Sequence, residues 1–150
     1  IAISFYSAIT ILSGWSFLVK DDGKGFAVCY PFTQTSFMNG ENNWGYIVFN
    51  FLLPLSFYGV FFLLTSNVFK AFIQPKLFTE KGVRQLKYFY IINIFAPPLI
   101  ILAAKIITGK IEEGLTTVTV IHFILGIFAY FLAAIFNRGL QLQNEQDLFI

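Results

Sequence analysis

The chain has 150 residues, 57% of them hydrophobic and only 12% charged. A soluble domain carries about a quarter charged residues, so the composition lies far outside the soluble norm. The net charge of +2 is too small for a nucleic-acid-binding surface, and a single cysteine excludes an internal disulfide.

Four apolar stretches each approach the ~20 residues needed to cross a bilayer core. Backbone groups in lipid must be satisfied within the segment, and the strict alternation of barrel strands is absent, so these read as helices. The first covers residues 1–19. It opens on Ile1 rather than Met, which suggests that residues precede it, and no small-residue cleavage site follows, so it reads as a span and not as a signal peptide. An outer loop of about 26 residues, 20–45, follows. Its "DDGKGFAVCYPF" starts like a calcium loop but has neither the alternating ligands nor the closing Glu. Residues 26–32 suit one short strand, and Asn39-Gly40 suits a turn. Trp44 and Tyr46 read as interfacial anchors, and Cys29 as a buried thiol or a link to another chain.

The second span covers 46–73, with Pro54 near its outer end, and leads to a loop over 74–85. Lys70, Lys76, Lys81, Arg84 and Lys87 surround that loop against Glu80 alone. The outer loop sets Lys20 and Lys24 against Asp21, Asp22 and Glu41, and the third connection sets Lys110 against Glu112 and Glu113. Positive charge stays inside, so the middle loop and both termini of this multi-pass chain are expected in the cytoplasm. Thr79 is a plausible N-cap, Glu80 suits the first helical turn, and Phe78 with Val83 can form a hydrophobic staple. The third span, 86–107, contains Pro97-Pro98, which should kink it.

The fourth span covers 117–137. Gly126, Ala129 and Ala133 fall three and four residues apart and allow close helix packing, as do Ser4, Ser7 and Gly14 on the first span. Packing within one subunit is the simplest use of these faces; self-association is the alternative. The tail, 138–150, can continue the helix to about Gln146 with Leu140 and Gln143 on one side and Leu142 and Glu145 on another. Asp147 then turns the chain, with Leu148 and Ile150 to one side. These apolar residues either fold back on the basic loop, with Glu145 or Asp147 near Arg84 or Lys87, or dock on a partner. The expected fold class is therefore an all-α integral membrane protein, a single domain of four transmembrane helices in an up-down antiparallel bundle.

Little chemistry is available. No Asp or Glu lies in any span, one His cannot supply two axial haem ligands, and one His with one Cys cannot build a zinc site. There is no G-x-S-x-G elbow and no P-loop. No catalytic residue, metal or cofactor is expected, and the protein is read as a non-enzyme. Lys105 and His122 run to similar depth near Glu112 and Glu113 and form a candidate polar cluster that could sense outside pH or hold a polar ligand. The simpler reading is a Lys reaching the headgroups and a His satisfied by a backbone carbonyl. Asn50, Asn67 and Asn93 suit interhelical hydrogen bonds.

Two segments carry a family resemblance. "KLFTEKGVRQLKYFYIINI" resembles a pattern of Pro-Phe or Leu-Phe, then Ser or Thr, a Glu-bearing turn and a basic-apolar helix entry. "FNRGLQLQNEQDLFI" resembles an ending built on Leu-Gln, Glu and Asp-Leu-Thr-Ile. Together they resemble the bacterial membrane family named domain of unknown function 2975, with Leu77 where Pro is usual and Phe149 where Thr is usual. The resemblance implies a small four-span protein associated with a Cro/C1-type helix-turn-helix regulator. It points to Phe78, Thr79, Arg84, Lys87, Gly139, Leu142, Gln143, Glu145, Asp147, Leu148 and Ile150 as the partner-binding residues. The expected function is regulatory tethering of that partner, with membrane lipids around the spans and no direct contact to nucleic acid. An accessory subunit of a larger membrane complex, bound through the small-residue faces, is the alternative. Passage of a small compound through the bundle is a weaker one.

Overall fold

The structure, a computed structural model, describes residues 2, 5, 6, 9, 10, 17–19, 23–111 and 113–147. Strands β1 (Phe17–Val19), β2 (Gly25–Cys29) and β3 (Ser36–Glu41) form an antiparallel sheet in the order β1-β2-β3. Three long helices follow: α1 (Trp44–Phe72), α2 (Glu80–Thr108) and α3 (Glu113–Asp147). The chain divides into two compact units, one of Ile1–Gly59 with Leu99–Leu115 and one of Val60–Pro98 with Thr116–Ile150.

In the first unit the sheet and α1 share the core. Phe26 and Val28 are fully buried on β2 and pack with Ile47 and Phe51 of α1, the rings of Phe26 and Phe51 meeting edge-on at 5.4 Å. Two expectations fail here. The first span was expected to run helically to residue 19, yet Phe17, Leu18 and Val19 pair with Val28, Ala27 and Phe26 as an edge strand. A short apolar run with aromatic and β-branched residues suits either state, and the unpaired edge of β2 decides it. Ala2, Phe5, Tyr6, Ile9 and Thr10 are helical. Asn39-Gly40 is not a turn but part of β3, because Gly40 lies opposite Phe26 and a Cβ there would stand 2.6 Å from its ring. The reversal is made at 30–35 instead, where the Tyr30 amide donates to the Thr35 carbonyl at 3.0 Å and Phe32 adopts a φ of 61°. Cys29 is buried, and the Tyr6 hydroxyl donates to its carbonyl at 2.7 Å.

α1 starts under an Asn43 cap and passes through a π-helical stretch at Ile47–Leu52, where the Leu53 amide bonds the Val48 carbonyl five residues back. Pro54 follows directly and has no N–H to give the Asn50 carbonyl in α register. Asn50 points from this stretch to α2, its Nδ2 donating to Thr108 Oγ1 at 3.3 Å while its Oδ1 stays buried without a partner. Lys110, beyond α2, reaches the Glu41 carboxylate at 3.0 Å.

The second unit is helical throughout. Along α3 the residues His122, Gly126, Ala129, Ala133 and Phe136 are buried, at spacings of four and three. Along α2, Gly82, Leu86, Phe89, Asn93 and Pro97 are buried on the same rule. A Cβ on Gly126 would stand 2.6 Å from Ile94 Cγ1, 3.2 Å from the Ile94 nitrogen and 3.3 Å from the Tyr90 carbonyl oxygen, so only glycine lets the backbones come this close. Leu86, Ala133 and Phe136 form the core, flanked by Val68, Phe78, Val83, Tyr90 and Leu132. α2 remains helical through Pro97 and Pro98.

All three helices are apolar over 18-residue windows, with mean hydropathies of 2.0 to 2.3. At 29 residues, α1 and α2 each measure about 43 Å, more than the ~30 Å hydrocarbon core. Phe62, Phe95, Phe128, Phe131 and Ile135 stand out from them more than half exposed, a surface suited to lipid and not to water. Among the described residues three helices are long and apolar enough to cross a membrane, which makes this a mostly helical membrane protein.

Candidate functional site

The loop after α1 and the end of α3 meet at one junction. Lys70 lies in the last turn of α1, where a cation complements the helix dipole, and residues 73–79 lead to the next helix. The start signal at Thr79 holds: its Oγ1 accepts from the Gly82 amide at 3.0 Å, its carbonyl accepts from the Val83 amide at 3.0 Å, and α2 begins at Glu80. Phe78 and Val83, the two residues read as a staple, both pack on the Leu86–Ala133–Phe136 core.

Phe78 carries the junction. Its ring meets Phe136 at 5.4 Å, and a Cβ on Gly139 would stand 2.6 Å from Cδ1 and 2.7 Å from Cγ of the ring. The missing side chain of Gly139 is therefore a seat for the whole ring, not only for its tip. This ties the loop to the part of α3 that extends beyond the apolar span. The helix continues unbroken to Asp147, with Leu140 and Gln143 turned half-inward and Leu142 and Glu145 exposed, the division read from the sequence. Arg138 and Leu142 join Phe131, Ile135, Gly139 and Phe78 around a shallow groove on the outer side of the junction.

Of the residues assigned to partner binding, Phe78 and Gly139 touch each other, Thr79 caps α2, and Gln143 is half-buried. Arg84, Lys87, Leu142 and Glu145 are exposed. Asp147 is the last residue of α3; its side chain, with Leu148 and Ile150 and the fold-back expected of them, lies outside the described residues. Gly126, Ala129 and Ala133 are buried inside the chain's own helix packing. Lys105 is exposed on α2.

His122 has a partner that sequence reasoning missed. Its Nδ1 lies 2.7 Å from Asn93 Oδ1, and Asn93 Nδ2 donates to the Phe89 carbonyl one turn back at 2.8 Å. With Nδ2 committed to a carbonyl, Oδ1 faces the imidazole, so Nδ1 carries the proton and donates. The ring also meets Phe61 edge-on at 4.9 Å. Asn93 had been expected to bond between helices, but its partner depends on how α2 and α3 are rotated against each other. The buried stripes mark the inward face of each helix, from Leu86 to Asn93 and from His122 to Ala129, but not which residues meet.

No curated protein and no solved structure matches the chain. A family model matches residues 23–150, which takes in both segments of the junction as well as β2, β3 and the three helices. The chain belongs to the family described as "protein of unknown function (DUF2975)".

Proposed function

We propose that the protein is a non-enzymatic regulatory protein of the bacterial inner membrane, with four spans and both termini cytoplasmic, that tethers or modulates a cytoplasmic helix-turn-helix regulator. The single observation that carries this reading is the loop–tail junction. α3 leaves the apolar region without a break, the Phe78 ring locks the loop onto Gly139, and Leu142 stands 60% exposed beyond it. An apolar residue held on a rigid helix outside the membrane is a preformed contact for another protein and costs little ordering entropy when it binds. The clustering of Lys70, Lys76, Lys81, Arg84 and Lys87 at this end supports its cytoplasmic placement.

Co-expression of the chain with a Cro/C1-type helix-turn-helix regulator tests this. A photo-crosslinking residue at exposed Leu142 should capture the regulator, the same group at half-buried Leu140 should capture much less, and removal of residues 140–150 should release the regulator from the membrane fraction. Membrane retention unchanged by that truncation would refute the tether. The accessory-subunit alternative would need a lateral surface other than Gly126, Ala129 and Ala133, which the chain uses for its own packing.

A further inference from the structure

A cavity of about 60 Å³, the room of several water molecules, opens between the last turns of α1 and the start of α2. Asn67, Lys70, Ala71 and Gln74 line it from one side, and Thr79, Lys81, Gly82 and Gln85 from the other. No carboxylate lines it. Neither lysine has an ion-pair partner among the described residues, so two exposed basic side chains border one small space. Two further liners, Gln74 and Thr79, have donor capacity left. Gln74 uses one Nε2 proton on the Lys70 carbonyl at 3.2 Å and keeps the other. Thr79 Oγ1 already accepts from Gly82, which leaves its hydroxyl proton to point outward.

Two like charges held around one cavity repel each other unless an anion enters, and the donors match an acceptor with several oxygens. A tetrahedral oxyanion of five heavy atoms is about the size of the space. We propose that this cavity binds a phosphate group, carried by a lipid headgroup or free in solution, gripped by Lys70 and Lys81 and oriented by Gln74, Thr79 and Gln85. The site lies on the wall of the loop–tail junction, since Gly82 stands against both Ala71 and Phe136. It depends on none of the residues assigned to regulator binding except Thr79, so it stands or falls apart from the tether.

Gly82 supplies a local probe. Full-length protein labelled with 15N-glycine would be placed in zwitterionic nanodiscs and titrated with inorganic phosphate, and separately prepared in nanodiscs doped with phosphatidylglycerol. The expected result is a saturable shift of the Gly82 amide in at least one arm, weakened roughly tenfold or more in Lys70→Gln/Lys81→Gln, since each charge-assisted contact is worth about a decade of affinity. The variant Arg84→Gln/Lys87→Gln, whose residues do not line the cavity, should retain the shift. A shift with phosphatidylglycerol alone makes the ligand a lipid headgroup; one with inorganic phosphate alone makes it a soluble phosphate. No saturable shift in either arm, or the same shift and affinity in the double-lysine variant, would overturn the proposal.

Discussion

The Asn93–His122 contact can be weighed directly by a double-mutant cycle. Both side chains are buried, Asn93 completely and His122 to 5% exposure, and they meet at 2.7 Å. Asn93→Leu keeps the bulk but removes the acceptor that the Nδ1 proton uses, and His122→Phe keeps the ring's edge contact to Phe61 while removing the donor. Stranding one buried partner should cost about 1–3 kcal/mol for each single variant. Replacing both partners together removes this donor and its acceptor at once, so the double variant should lose less than the sum. Hydrogen bonds between membrane helices measured this way average about 0.6 kcal/mol and reach about 1.7. A bond this short and dry should fall in the upper half of that range. Equilibrium unfolding in bicelles gives the four free energies required. Additivity within about 0.3 kcal/mol would refute the reasoning, because it would mean that the two side chains share no interaction.

Gly126→Ala should destabilise the helix pair by about 1–3 kcal/mol despite alanine's better helix propensity, because its Cβ meets Ile94 and the Tyr90 carbonyl; melting in detergent would read the loss. Gly139→Ala should act differently. Its clash is with the Phe78 ring, which must leave its seat and its edge contact with Phe136, so global stability should fall by about 1–2 kcal/mol while trypsin cleavage at Lys76 and Lys81 quickens several-fold. Asn50→Leu should be close to neutral in the same melting assay, within about 1 kcal/mol, since it gives up one 3.3 Å bond and also removes an unpartnered buried oxygen.

The long helices were legible because lipid imposes a length and a composition that few other constraints produce. The Thr79 start was legible for a similar reason: the capping side chain, the first-turn acid and the staple residues all lie within six positions of one another. Residues 17–19 were misread because three apolar residues at the end of an oily run carry no period of their own, and their strand partners lie seven to eleven positions away. Gly40 was misread because its absent Cβ serves a ring across the sheet, and no neighbour in sequence announces that ring. The small-residue stripe identified α3's buried face, but not what it faces. The pairing of His122 with Asn93, and of Gly139 with Phe78, belongs to the rotation of one helix against another, which a pattern along one chain leaves free.

The unbroken course of α3 sets a phase relation along its length. Leu142 and Arg138 lie on the same helix as Gly126 and Ala133, with no hinge residue in irregular backbone between them. The azimuth at which Leu142 is presented is therefore dictated inside the bilayer, by the backbone contact at Gly126. A helix advances about 100° and 1.5 Å per residue, so one residue inserted after Asn137 would carry Leu142 a quarter-turn away while leaving every membrane contact in place. In the same way, a small roll of α3 against α2 would appear at the tail as a change of face with no change of composition. The helix works as an axle, and what its far end displays reports how its buried end is seated.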